Sequence, residues 1–458
     1  MRFRLNVVEK VPAEGSPPSM VAIAPPPGDP KDLPAWLASF TNWEKQLPLG
    51  QERREWGPLR CRKLLDRLHL DTSQQRVIQV AGSKGKGSTV LWLESLLSIR
   101  GQTTAATTSP HLISLEERIR LNGEQVSFPR LLAGLHKIYP ALIAGQSAGD
   151  PLPTFFDLWT ALFTEIAVSE GVENILLEVG LGGPLDSTTA IPHDLGILTT
   201  IDLEHTALLG DTCEKIAAEK SKIARSGKPF MISSGETAGT AEQIARTLQS
   251  SPSISCEDSR IPDSVPSHQK LNGATALQAL ERLPEFEPFT SEEVSRAWKE
   301  MKLPARLEVL QGFPPLLLDG AHTPASLRAF VQGFRSFRNQ QISPDSSSEH
   351  PRGGAILLGM LADKNPQATL AELSQLDPFP EICTLGIPVP RGMSAQEIAT
   401  ELQPIADQHG RRLQVAESPE EGLRWLRKMA ATGEPIAATG SMYLAGMVRK
   451  AWLAPEPS

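Results

Sequence analysis

Cysteine is scarce and carries no pattern: Cys61, Cys213, Cys256 and Cys383 form no CxxC or Cys/His spacing, which excludes a disulfide framework and gives no sign of a zinc site. Long apolar runs are missing as well. None approaches a membrane span, and the amino-terminal apolar stretch is broken by Glu9 and Lys10 before a signal-type core can form. Glu9 and Glu14 speak against a transit peptide. Positive charge is not in excess: 45 Lys plus Arg against 53 Asp plus Glu leave a formal charge of -8. That balance disfavours nucleic acid or an anionic membrane as the main partner, so any anion must be bound locally. The expected compartment is a reducing cytoplasm.

What is present is the composition of a globular protein, 40% hydrophobic and 21% charged, in a chain of 458 residues. That length favours two large domains over one core. Residues 1–32 (VPAEGSPPS, APPPGDP) are Pro-rich and read as a flexible lead-in outside the fold. PAWLASFTNWEKQL and PLRCRKLLDRLHL then space their apolar residues as helices do. QRVIQVA is a strand, followed by the glycine loop GSKGKGS and the helix TVLWLESLLSIR. NILLEVG and LGILTTI are further buried-strand candidates, so the alternation predicts a mostly parallel sheet with helices on both faces over residues 33–302. A second series (LEVL, PLLLDG, SLRAFVQGF, AILLGM, ICTLG, AQEIATELQPIA, EEGLRWLRKMA, EPIAATG) predicts a smaller α/β domain over 303–458. Its polar stretch RNQQISPDSSSEHPRGG reads as a surface loop.

Gly82, Ser83, Lys84, Gly85, Lys86, Gly87 and Ser88 lie between strand and helix, where small residues let backbone N–H groups approach phosphate oxygens and the helix start adds partial positive charge. Lys86 is placed to bridge the β and γ phosphates, and Ser88 to face Mg2+ or a phosphate oxygen. The first glycine stands only four residues before Lys86, so this is a variant of the usual loop.

In its glycine loop GSKGKGST the chain resembles the Mur ligase superfamily and, within it, the folylpolyglutamate synthase and dihydrofolate synthase family. The same order of blocks is carried by TSPHL, EERIRLNGE, LLEVGLGGPLD, LEHTALLGDT, AEKSKI, RLEVL, LLDGAHTP, LGMLADK and TGSMYLAG, over about residues 33–452. The resemblance implies a P-loop ATPase domain with a mostly parallel sheet, a Rossmann-like C-terminal domain, and ATP-dependent addition of L-glutamate to a folate or pteroate carboxylate by way of an acyl phosphate. Two Mg2+ ions are implied, with Ser109, Glu178 and His205 as ligands. Such an ion keeps several waters, so few protein groups suffice.

The matching lysine in the family is carbamylated, which puts Lys220 forward; on its own sequence neighbours it also reads as an exposed helix lysine. Asn272, Arg306 and Asp319 are implied contacts of the nucleotide, and His322 of the phosphates or the incoming amino acid. Asp186 and Ser441 are implied substrate contacts, with a helix cap the other reading of Ser441. Lys86, His205, Lys220 and His322 form the expected catalytic set, in a monomer binding small molecules only. Pro184, Thr189, Glu204, Ala305 and Thr323 depart from the family pattern; the first two lie in the loop that closes near the acceptor and put the acceptor in doubt, whereas Glu204 keeps the charge of the family's Asp. A ligase for another acid and amine, a nucleotide-binding module without catalysis, and a plain P-loop hydrolase or kinase stand as alternatives.

Overall fold

A computed structural model describes residues 23–42, 57–312, 315–341 and 353–454. The first sheet comprises β1 (Arg76–Ala81), β2 (Thr104–Thr107), β3 (Ile119–Leu121), β4 (Glu124–Gln125), β5 (Asn174–Glu178), β6 (Leu195–Leu198), β7 (Pro229–Ile232) and β8 (Ser251–Ile254). Their order is β4-β3-β2-β5-β1-β6-β7-β8, parallel except for the β2–β3–β4 edge. Helices cover both faces, which is why RVIQVA and NILLE are buried along nearly their whole length instead of at alternate residues.

The helix Lys86–Ile99 is buried nearly all round. Helices Ser267–Leu280 and Ser291–Glu300 pack over it, and Trp92 stacks on Trp298 with ring centroids 5.5 Å apart. Reciprocal capping fixes other helix starts, with Thr154 and Asp157 before Phe155–Glu170 and Thr290 and Glu293 before Ser291–Glu300. Each such cap stabilises its helix by roughly 1 kcal/mol.

The second sheet comprises β9 (Glu308–Leu310), β10 (Leu316–Leu318), β11 (Ala355–Leu358), β12 (Glu381–Leu385), β13 (Leu413–Ala416) and β14 (Ile436–Thr439), in the order β13-β12-β11-β14-β10-β9. Only β9 runs antiparallel. Separate apolar clusters lie on its two faces. Among the described residues no helix is long and apolar enough to cross a membrane.

Three sequence expectations change. Among the described residues the helix expected in PAWLASFTNWEKQL covers Leu33–Leu37, and the part of that stretch from Trp43 onward lies outside the described residues. The lead-in is not wholly outside the fold: Ile23 packs on the first core, Tyr139 donates to its carbonyl at 2.9 Å, and Trp36 Nε1 donates to the Ala24 carbonyl at 2.8 Å. The surface loop begins later than read, because the helix from Pro324 continues to Gln341; residues 342–352 lie outside the described residues.

Candidate active site

β1 and β5 end side by side, so the glycine loop and Glu178 emerge together at the carboxyl edge of the sheet, where open α/β sheets place ligands. Gly85 caps the helix Lys86–Ile99 in the left-handed region (φ 86). The amides of Ser83 and Lys84 both donate to the Thr200 carbonyl, at 2.9 and 3.0 Å, and are not free for phosphate. The Thr89 amide bonds the Gly85 carbonyl, which leaves Lys86, Gly87 and Ser88 as the first-turn donors. Lys86 Nζ folds back onto the Gly82 carbonyl at 3.0 Å.

Glu178 is 4% exposed. Its Oε2 accepts the Ser109 amide at 2.8 Å. Burial pushes its carboxyl up, and Lys86, the Ser109 amide, Arg306 and Arg118 oppose that. A β-carbon placed on Gly87 would sit 3.2 Å from Glu178 Oε2 and 3.5 Å from Arg306 Nη2. The second sheet thus delivers Arg306 to the mouth of the glycine loop. Arg306 stands between Ala305 and Leu307, both left-handed (φ 52 and 54). Asp319 organises that turn: its oxygens accept the Leu307 amide at 2.8 Å and the Ala321 amide at 2.7 Å. Burial pushes Asp319 up to about 6 against those bonds and Arg306.

Lys220 Nζ is buried and meets the Gly82 carbonyl at 3.0 Å and Glu204 Oε1 at 2.9 Å. Burial first, then Lys86, lowers Lys220 to about 8 although Glu204 pulls upward. Both of its partners are acceptors, as an ammonium requires; a carbamate would oppose Glu204. His205 opens the turn Thr206–Leu209 in left-handed backbone (φ 46). Desolvation lowers its ring against Glu204, aided by Lys220, Lys86 and Lys364. His322 is lowered too, by burial against the Gly320 carbonyl, with Lys84 and Lys364 adding to the burial and Asp363 opposing. Its Nδ1 lies 2.8 Å from the Gly320 carbonyl, which places the proton on Nδ1 and leaves Nε2 as an acceptor.

Asn272 presses on the loop, since a β-carbon on Gly85 would fall 2.3 Å from its Oδ1. Asp186 turns inward: it accepts from the Gly180, Leu181 and Thr188 amides and from Thr188 Oγ1 at 2.6 Å, and burial raises it to about 6. Ser441 is 1% exposed and caps the helix Met442–Leu453 through the Leu444 amide. These two residues build loops; the structure gives neither an open face toward the cleft.

Lys86, Glu178, Arg306, Lys220 and His205 therefore converge, with Ser109, Asn272 and His322 around them. Glu204, Gln269 and Lys364 were not among the residues the sequence put forward. Gln269 Nε2 donates to Ser88 Oγ at 3.1 Å, and its place three residues before Asn272 was the only sign. Among the described residues no three His, Cys, Asp or Glu side chains cluster as a ready metal site. The donor set nonetheless suits a hard, water-rich cation: Glu178 Oε1 accepts no hydrogen bond from a described residue, and Ser109 adjoins it.

No protein-family model matches the chain. It is 26% identical over 427 residues to the dihydrofolate synthase/folylpolyglutamate synthase of Bacillus subtilis, covering 85% of this chain and 94% of that one. It is 31% identical over 320 residues to the mitochondrial folylpolyglutamate synthase of Bos taurus, covering 61% of this chain and only 54% of that longer one. A solved bifunctional folylpolyglutamate synthase/dihydrofolate synthase of Yersinia pestis, complexed with AMPPNP and Mn, superposes with a TM-score of 0.74 at 26% identity, over 93% of this chain and 99% of that one. With two α/β units meeting over one glycine loop, the chain is similar over nearly its full length to bacterial dihydrofolate synthase/folylpolyglutamate synthases.

Proposed function

We propose that the protein is an ADP-forming ligase that joins L-glutamate to the carboxylate of a folate or pteroate acceptor. The observation that carries this reading is the approach of Glu178 and Arg306 to Gly87, close enough that a β-carbon there would touch both, which sets a cationic arm of one α/β unit over the glycine loop of the other. The acceptor carboxylate oxygen attacks the γ phosphorus of ATP, the bond to the ADP oxygen breaks, and an acyl phosphate remains. The glutamate amine then adds to the acyl carbon, and the tetrahedral adduct expels phosphate. Lys86 and Arg306 hold anionic oxygens that would otherwise repel. His322 Nε2, held unprotonated, receives the amine proton. Seating of the two units, which we divide at about residue 302, excludes water from the acyl phosphate.

Ser109, Glu178 and His205 would hold Mg2+, which when bound neutralises the phosphate charge. Asn272, Arg306 and Asp319 are assigned to the nucleotide side, Asp319 through the turn that carries Arg306. Asp186 and Ser441 are assigned to the acceptor and amino-acid side as residues that shape loops. Lys220 is assigned as an ammonium, with its carbamate a form that requires Glu204 to swing away. We place the protein in the cytoplasm as a monomer; free, buried Cys61 and Cys383 support a reducing compartment.

A second reading, a ligase for another acid and amine, is favoured by the acceptor-side loop. There Thr189 Oγ1 bonds the Gly183 carbonyl at 3.1 Å, and Pro184 replaces a cation. Purified protein with ATP, Mg2+ and bicarbonate is to be assayed for ADP release with dihydropteroate and tetrahydrofolate against a panel of amino acids, with mass spectrometry of products. A glutamylated pterin establishes the proposal; turnover only with another pair establishes the second reading, and phosphate release without an amine refutes both.

A further inference from the structure

The loop between β2 and β3 is gripped at two points. Near its start, the Ser109 amide donates to Glu178 Oε2 at 2.8 Å. In its middle, Glu117 gathers three consecutive amides: Leu112 at 2.7 Å on Oε2, and Ile113 and Ser114 at 2.8 and 2.9 Å on Oε1. Between these grips the loop touches the other α/β unit. Leu112 packs against the apolar cluster of the second sheet, beside the helix Met442–Leu453. That helix presents Gly446, where a β-carbon would lie 2.2 Å from the Leu112 carbonyl oxygen and 3.2 Å from its carbon. Backbone lies on backbone there, so no side chain can be accommodated without moving the helix or the loop.

Only two residues separate Leu112 from Ser109, a reach of roughly 10 Å even when fully extended. Both ends are pinned in turn, since β2 and β3 are hydrogen-bonded neighbours and the Thr108 amide donates to the Arg118 carbonyl at 3.2 Å. A shift of Leu112 therefore cannot be absorbed along the loop and passes to Ser109 and its bond with Glu178. We propose that Gly446, Leu112 and Glu117 are positioning residues: seating of the second unit on the β2–β3 loop sets the geometry of the Ser109–Glu178 pair and thereby its ability to take a divalent cation with nucleotide. This rests on the ligase reading for its turnover measurement alone.

The test uses full-length protein carrying Gly446→Ala, Glu117→Ala or Glu117→Gln, with Mn2+ and AMPPNP as probes. Free Mn2+ is read by electron paramagnetic resonance and folding by circular dichroism and thermal melting. Gly446→Ala and Glu117→Ala, one on each side of the contact, are both expected to weaken nucleotide-dependent Mn2+ binding at least tenfold. Glu117→Gln, which keeps one carbonyl acceptor, is expected to lie between Glu117→Ala and the parent. In turnover, kcat falls and the Mg2+ requirement rises, while KM for glutamate changes little. Parent-like Mn2+ binding in folded Gly446→Ala overturns the proposal, as does a Glu117→Ala effect with none from Gly446→Ala. If Gly446→Ala does not fold, parent-like binding in Glu117→Ala overturns it. If no amino acid is ligated at all, the Mn2+ measurement still decides the matter, and the ligase reading fails separately.

Discussion

Glu204 Oε1 stands 2.9 Å from Lys220 Nζ, and the same ammonium shares the Gly82 carbonyl with Lys86. Burial alone would raise the Glu204 carboxyl; Lys86 and then Lys220 hold it below its usual range. Where the family pattern has Asp, the extra methylene of Glu204 spans this gap. Carbamylation consumes a neutral amine and releases a proton, so Glu204 opposes it by favouring the ammonium. With Lys220 near 8, the carbamate carbon in a 13C-bicarbonate NMR experiment should gain intensity only as pH passes about 8. Glu204→Gln removes the upward pull and should bring the resonance in at lower pH. Full carbamylation of the parent at pH 7 would contradict this account.

Gly85 tolerates no side chain for two separable reasons. Its φ of 86 costs an L residue about 1–2 kcal/mol, and its missing β-carbon leaves room for Asn272 Oδ1. Gly85→Ala should lower the melting temperature by a few degrees for a domain of this size and abolish measurable AMPPNP binding. Adding Asn272→Ala relieves the clash but not the backbone, so the double variant should regain part of the melting temperature only. Full recovery would show the backbone term to be negligible.

Gln269 is the donor that Ser88 relies on, across 181 residues of sequence and in a buried setting. Gln269→Leu leaves that hydroxyl without its partner at a cost of roughly 1–3 kcal/mol. Calorimetric AMPPNP affinity should drop about tenfold, since about 1.4 kcal/mol is a factor of ten, with the fold retained by circular dichroism. Unchanged affinity would mean that Ser88 is oriented by the first helical turn alone.

His193 is 2% exposed, accepts Arg225 Nε on Nδ1 at 3.0 Å, and so carries its proton on Nε2. Burial, with Arg225 adding to it, lowers it to about 3. The unfolded chain binds the proton first, so this residue's contribution is whole above about pH 6.5 and is lost as pH falls from there toward 3. At about 1.4 kcal/mol per unit the loss is of the order of several kcal/mol. Denaturant titrations at stepped pH should show stability falling over that window, and His193→Gln should flatten the fall. An identical slope in both proteins would assign the acid sensitivity elsewhere.

Much of this was legible in the sequence because it is local. A strand run, three glycines and an apolar helix announce the loop at 82–88, and apolar NILLE places Glu178 at a strand end. Short strands escaped notice: Thr104–Thr107 reads TAAT and Ser251–Ile254 reads SPSI, neither a β-rich run, and neighbours in the sheet impose the extended form. Long-range partners were equally silent. Gln269 lies far from Ser88 in the chain, and Glu204 looked like a conservative change until its reach to Lys220 could be measured. Asp186 looked like a ligand-facing carboxylate because sequence does not reveal that four donors of its own loop surround it.

Ala305 shows a departure from the family pattern turning into a stability prediction. It is left-handed (φ 52), 1% exposed, and its carbonyl accepts the Gly320 amide at 2.9 Å, so the surroundings hold it in a conformation that glycine adopts without strain. Arg306 and left-handed Leu307 follow, and Asp319 clamps the turn through the Leu307 amide. Ala305→Gly removes strain of about 1 kcal/mol in the folded state but loosens the unfolded chain and vacates a small buried volume, which offsets part of the gain. The expected outcome is stability equal to or up to about 1 kcal/mol above the parent, whereas the same change inside a helix would lower stability by a similar amount. Asp319→Asn keeps one carbonyl acceptor and should leave a folded protein whose nucleotide affinity falls, because the turn that aims Arg306 is slackened. Should Ala305→Gly instead lower the denaturation midpoint by the equivalent of more than about 1 kcal/mol, packing of the alanine methyl, and not relief of backbone strain, governs this turn.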